Sequence, residues 1–205
     1  GGASIDPNLV TQLLNDVGDN PDQLPILQHA LMRTWDYWLQ QKDLERPISL
    51  SDYEAVGRMA KALSEHANEA FEELSPREKM ICESMFKTLT EKGGDNIGIR
   101  QPTRLEIIAE IARATPEEVI SVVEVFRKPG RSFLAPVHTV SLNSGTVIDI
   151  SHESIMRIWD RLKIWVEEEA QAVQMYTRLS DASELFQIGK TGLWRPPDLQ
   201  LALNW

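Results

Sequence analysis

Thr146-Val-Ile-Asp-Ile-Ser-His-Glu-Ser-Ile-Met-Arg-Ile-Trp159 is the stretch on which the fold turns. Its β-branched first half, 146–150, predicts a short strand. Ser151 is placed to N-cap a helix that opens with His152-Glu153 and carries Ile155, Ile158 and Trp159 on one apolar face. A strand-to-helix turn of this kind sets one imidazole beside the free N–H groups of a helix start, surroundings that suit an anion such as phosphate. On residue type and position alone, His152 reads first as a packed structural histidine and second as a nucleotide sensor, and both readings stay open.

Upstream, Ser75-Pro-Arg-Glu78 is a capping box that opens a helix running to about Lys92, which Gly93-Gly-Asp-Asn96 ends. Residues 98–102 can supply only a short edge strand, because Pro102 cannot donate to a ladder. Thr103-Arg-Leu-Glu106 reads as a second capping box before a helix over 105–112. Thr115-Pro-Glu-Glu118 is a third, before a helix over 119–127. Strands over 133–137 and 146–150 are joined by a loop through Asn143-Ser-Gly145. Helix, short strand, helix, tight turn, helix and hairpin, in that order, make a winged helix-turn-helix.

Ahead of that unit the pattern is wholly helical. Asp6-Pro7 is an N-cap followed by proline at the first helical position, with Leu9, Val10, Leu13, Leu14 and Val17 behind it. Gly18-Asp-Asn-Pro21 breaks this helix. A second begins at Leu24-Pro25, where a first-turn proline costs little, and runs through Trp35 and Trp38. Ser51 or Asp52 caps a third, which reaches about Leu74 with Tyr53, Val56, Met59, Leu63, Ala67, Ala70 and Phe71 as its stripe. Beyond Trp159 a helical pattern extends to about Ile188, with Asp160 starting a fresh helix and Leu162, Trp165, Val166, Val173, Tyr176 and Leu179 on one face. Pro196-Pro197 punctuates the end, and 198–205 begin one more helix. The fold class is therefore mainly α. A helical domain over 1–74 precedes a winged helix with a small β-hairpin over 75–159 and a helical linker over 160–205.

Composition narrows the partners. A net charge of −10 opposes nucleic acid as the main partner, because neutralising phosphate dominates that affinity. The reading helix of a DNA-binding winged helix would set Glu117, Glu118 and Glu124 against only Arg127 and Lys128, and the wing between Pro136 and Thr146 has no Lys or Arg. The single Cys82 can form neither an internal disulfide nor a thiolate cluster, so a cytoplasmic setting is expected. No signal peptide or membrane-spanning apolar run is present. The ends, Gly1-Gly-Ala3 and Leu201-Ala-Leu-Asn-Trp205, read as cut points in a longer protein.

Catalytic motifs are missing. No GxxxxGK[ST] loop occurs, and Gly189-Lys-Thr-Gly192 lacks the upstream glycine and follows a helix instead of a strand. His152-Glu153 is not part of an HExxH, and His29, His66, His138 and His152 share no ligand spacing, so no metal is expected. No nucleophile elbow supports a serine triad. The expectation from these absences is that the chain is not an enzyme and has no catalytic residues.

Two ordered motifs point further. Gly18-Asp-Asn-Pro-Asp-Gln-Leu-Pro-Ile-Leu-Gln-His-Ala-Leu31 and Ile148-Asp-Ile-Ser-His-Glu-Ser-Ile155, with Gly130-Arg-Ser-Phe-Leu134 before the latter, resemble the signatures of the STAND NTPases. The likeness is to the bacterial novel STAND NTPase group, whose members often carry WD repeats, and it covers essentially the whole chain. It implies the C-terminal helical and winged-helix part of a nucleotide-binding module. In that part Pro25 would be an adenine-side contact and His152 a contact to the β-phosphate of bound ADP. Ser151 and Glu153 stand where apoptotic and plant-immune relatives have Met and Asp, and the P-loop half is absent. The resemblance implies a regulatory chain that closes over ADP and couples nucleotide exchange to assembly. ADP or ATP would be held only in the full-length parent, with none in this chain. The partner would be the P-loop nucleotide-binding domain of the same parent, with a homo-oligomer on activation and neither nucleic acid nor membrane involved. Two other readings stand beside it: a winged-helix DNA-binding regulator, and a protein-interaction scaffold without nucleotide.

Overall fold

The structure is a computed structural model that describes residues 3–18, 23–41, 43, 45–92 and 98–205. The expected breaks at 19–21 and 93–96 lie outside the described residues. The fold is mainly α, as the sequence implies, with two small sheets where one hairpin is expected.

The helical part begins with α1 (Pro7–Val17). The Asp6 carboxylate accepts from the Asn8 N–H at 2.8 Å, and Pro7 occupies the first turn, where its missing N–H is not needed. α2 (Leu24–Gln40) carries Pro25 in its first turn. The expected single third helix is two: α3 (Leu50–Ala55) and α4 (Arg58–Glu72). The break is Gly57, at φ +85°, where a Cβ would lie 2.7 Å from the Cβ of Lys61. The cap is Ser49, not Ser51 or Asp52. Asp52 is the far member of the Ser49 capping box and accepts from the two terminal guanidinium nitrogens of Arg46, at 2.6 and 2.7 Å. That pairing draws the Asp52 pKa down to about 2.

The winged helix follows. α5 (Pro76–Thr88) opens with the Ser75/Glu78 box and stops four residues before the expected Lys92. Thr90–Lys92 instead form β1, antiparallel to β2 (Gly98–Arg100). Thr103 is no cap. Thr103–Arg104 form β3 against the last strand of the wing, and the hydroxyl of Thr103 donates to the Gln101 carbonyl. α6 (Leu105–Ile111) and α7 (Pro116–Arg127) follow, the latter with the Thr115/Glu118 box intact. The expected strand over 133–137 shortens to β4 (Leu134–Ala135), paired with β5 (Val147–Ile150), so the sheet order is β3-β5-β4. α8 (Ser154–Ile158), α9 (Asp160–Gln187) and α10 (Asp198–Asn204) complete the chain.

Two apolar cores form. Leu9, Ile26, Trp38, Tyr53 and Met59 lie in the first, and Phe86, Leu105, Val122, Phe126, Ile148 and Trp159 in the second. α4 belongs to both. Its Met59 and Ala62 face the helical core, while Leu63, Ala67, Ala70 and Phe71 enter the core of the winged helix. Each fully buried large apolar side chain contributes about 1.5–3 kcal/mol, so this shared helix fixes the two parts against each other. The Trp159 indole donates to the Asn68 amide oxygen at 2.8 Å, and its ring lies 5.0 Å from that of Phe86 and 5.4 Å from that of Trp165. The apolar face expected along α9 is buried only at Leu162 and Trp165. Val173 and Tyr176 are exposed, because the helix runs past the core.

Candidate functional site

The seam between α2, α4 and the winged helix holds a narrow crevice of about 30 Å³. α2 presents Pro25 and, one turn later, His29. The turn after α7 supplies Arg131, Ser132 and Phe133. The segment after β5 supplies His152 and Ser154. Pro25 and His152, the two residues singled out in the sequence, thus line one crevice.

Local hydrogen bonds explain the placement. The N–H groups of Arg131 and Ser132 donate to the Lys128 carbonyl, at 3.0 and 3.3 Å. Ser132 takes a left-handed conformation, φ +49°. Phe133 then returns to pair with Phe126, and the Ser151 N–H donates to the Phe133 carbonyl at 3.0 Å. Ser151 therefore extends the strand pairing and does not cap a helix. α8 starts at Ser154, is five residues long, and has no side-chain cap. The expected helix start at His152-Glu153, with its anion-binding N–H groups, does not form. His152 sits exposed in the turn between strand and helix, its carbonyl accepting from the Ile155 N–H at 3.2 Å. Glu153 lies 3.7 Å from both Arg100 and Arg157, and Arg100 also holds Asp149 at 3.1 Å.

Beneath the crevice lies a pair that the sequence reading did not single out. Nδ1 of His66, on α4, is 3.1 Å from Nε2 of His29. The Phe133 ring closes over both, its centroid 5.5 Å from His29 and 5.3 Å from His66. Burial lowers the His29 pKa to about 4, with the charges of Arg33 and His152 adding to the effect. Burial, then Arg33 and His29, lowers that of His66 to about 3. Both rings are therefore neutral at physiological pH, and one proton is shared across the 3.1 Å contact. Arg131 is fixed from behind by Glu73, whose carboxyl is drawn to about pKa 2 by Arg131. Arg33 pairs with Glu69 at 2.5 Å. The signal for His29 was its one-turn spacing from Pro25. His66 follows Ala62 and precedes Ala70 at helical spacing, on the stripe that faces inward.

A crevice of this size cannot enclose a nucleotide, since ligand pockets run roughly 300–1,000 Å³. Its residues fit one wall of such a site: an apolar proline ring, two imidazoles and a guanidinium. The larger cleft, about 1,210 Å³, lies elsewhere, between α9, β1 and α6. Its cations Lys87, Lys92 and Arg104 are each paired with glutamates, and Ile107, Ile111 and Val173 stand exposed in it. Among the described residues no group of three or more His, Cys, Asp or Glu could hold a metal, and no helix is long and apolar enough to cross a membrane. Cys82 is buried, which pushes its thiol pKa up.

The mainly helical architecture with a winged-helix module is the one expected from the sequence. The family model for "Novel STAND NTPase 1" matches residues 1–191, and the chain belongs to that family. No curated protein and no solved structure matches it. The family places the chain in the STAND NTPase superfamily, with an NTPase-related signalling role and adenine nucleotides as the relevant compounds at that level. It also corrects one expectation. The absence of a phosphate-cradling loop from the sequence predicts no enzyme, yet an NTPase family spans nearly all of the chain, so NTPase-related function attaches to the chain itself. The reason is physical. Phosphoryl transfer is catalysed by positioning and electrostatics spread over several elements, of which the phosphate-cradling loop is one, so a family match over 1–191 outweighs the absence of one motif.

Proposed function

We infer that this chain is the regulatory part of a STAND signalling NTPase, closing over bound ADP through the crevice between Pro25 and His152. The observation that carries the reading is the convergence of these two residues, from the helical part and the winged helix, on one crevice. The Pro25 ring offers an apolar surface to the adenine side. His152, exposed at the rim, offers an imidazole to the β-phosphate. The P-loop nucleotide-binding domain of the parent chain would form the opposite wall. Replacing ADP by ATP would loosen the grip of the winged helix and permit assembly, since a ligand shifts an equilibrium only by its differential affinity for the two states. Successive units over 1–74, 75–159 and 160–205, in a cytoplasmic protein, belong to the same reading. The projecting half of α9 supports a separate linker, while α4, which enters both cores, ties 1–74 to 75–159.

The DNA-binding alternative has less support. Arg127 is 2% exposed and held by Glu124 and the carbonyls of Pro136 and Val137, while Lys128 and Arg131 pair with Glu73. The test is equilibrium titration of a fluorescent ADP analogue into the parent protein. Pro25→Ala and His152→Ala should each weaken binding by about tenfold, the scale of one good polar or packing contact. Unchanged affinity in both variants would overturn the reading.

A further inference from the structure

The two histidines under the crevice are arranged as more than core filler. His29 lines the same crevice as Pro25 and His152, and only its Nε2 is engaged by His66. Nδ1 of His29 has no hydrogen-bond partner among the described residues, and it is not among the buried polar atoms left unsatisfied. That nitrogen is therefore open to the crevice or to solvent. Resting on the nucleotide reading above, we propose that His29 is a further nucleotide-contacting residue, donating from Nδ1 to an acceptor atom of the bound nucleotide, with His66 as the positioning residue that sets its tautomer.

The chemistry follows from a single shared proton. If the Nδ1–H of His66 donates to Nε2 of His29, the proton of His29 must sit on Nδ1, where it is a donor to the crevice. If the Nε2–H of His29 donates to His66, Nδ1 of His29 is instead an acceptor and His66 carries its proton on Nε2. The two rings therefore share one tautomer and switch together. A nucleoside diphosphate is rich in acceptors, in its phosphates and its ring nitrogens, so it selects the first state. The groups facing the pair are Arg33 on α2, Arg131 after α7 and His152 after β5, with Glu69 and Glu73 bound to the two arginines. Burial together with these cations keeps both rings neutral, so one of the two facing nitrogens carries a proton, and a change of tautomer releases a proton at the outer nitrogen of one ring as the other ring takes one up.

Amide substitutions separate the two roles. In His29→Gln the side-chain amide reaches the Nε2 position and can keep the contact to His66, but nothing stands at Nδ1. In His66→Asn the amide nitrogen takes the Nδ1 position and can still donate to His29, whereas His66→Gln cannot. In the parent protein His29→Gln should lower ADP affinity by about tenfold with the melting temperature retained, His66→Asn should bind as the native protein does, and His66→Gln should fall between them. Long-range 1H–15N spectra of the native ADP complex should show both rings protonated at Nδ1. Native-like ADP affinity in His29→Gln, or both rings protonated at Nε2 in the complex, would overturn this proposal while leaving the roles of Pro25 and His152 intact. Absence of saturable ADP binding in the native parent would overturn both.

Discussion

Trp159 is where the account of the fold is most exposed to test. Its ring is fully buried, stacked edge-on to Phe86 and Trp165, and its N–H is given to Asn68 on α4. Trp159→Ala removes the ring from the core of the winged helix and the tie to the helical part together. Loss of a buried aromatic costs about 3–5 kcal/mol, and the lost hydrogen bond roughly 1 kcal/mol more. Trp159→Phe keeps most of the ring and loses the N–H, so it should cost only about 1–2 kcal/mol. Urea unfolding followed by circular dichroism reads both. The midpoint should fall steeply for the alanine variant and slightly for the phenylalanine variant, with the slope unchanged. An alanine variant within about 1 kcal/mol of native, the range of an ordinary surface site, would show that the seam between the two parts is not packed as described.

Acid should unfold the protein in two stages. His29 and His66 are neutral when folded, at pKa about 4 and about 3, against 6.5 for a free imidazole. Their contribution is complete above pH 6.5 and is lost as pH falls toward 4 and 3, on the order of several kcal/mol for the pair. Asp52 and Glu73, both near pKa 2, stabilise above their ordinary carboxyl range and lose that contribution only as pH drops from about 4 to 2. A His29→Gln/His66→Asn double variant should lack the upper stage, and an unchanged profile would contradict the neutral pair. Gly57→Ala should cost about 1–2 kcal/mol in thermal unfolding, because φ there is +85° and the new Cβ would meet Lys61. A neutral result would mean that the α3–α4 break relaxes freely. Gel-shift titration at physiological salt should find no sequence-selective DNA binding below micromolar concentration, since the cations of α7 and its following turn are held internally.

Much of this fold was legible because side-chain chemistry fixes it locally. The Ser75/Glu78 and Thr115/Glu118 boxes form as written, as does the Asp6-Pro7 start. Thr103-x-x-Glu106 has the same letters and fails, because the backbone of Thr103 pairs with Ile148 instead of opening a turn. The short strand at Thr90–Lys92 was hidden since its pairing with Gly98–Arg100 is a contact that no local pattern encodes. The Gly57 break was hidden inside an unbroken apolar stripe. Of the residues lining the crevice, Pro25 and His152 stand out in the sequence through the motifs that carry them. His29 and His66 do not, because the bond between them joins two helices distant in sequence. The helix start assigned to His152 failed because Ser151 gave its N–H to the Phe133 carbonyl as a continuation of the strand.

The central claim is that His152 helps hold ADP. The most direct measurement is the rate at which ADP leaves the parent protein, with His152 intact and with His152→Ala, alongside the urea stability of both forms. His152 is exposed, so the substitution should change stability by under about 1 kcal/mol. ADP should leave the variant about tenfold faster, as expected for one lost charge-assisted contact. Equal dissociation rates together with a large loss of stability would show that His152 is a structural residue of the turn and not a contact to the nucleotide.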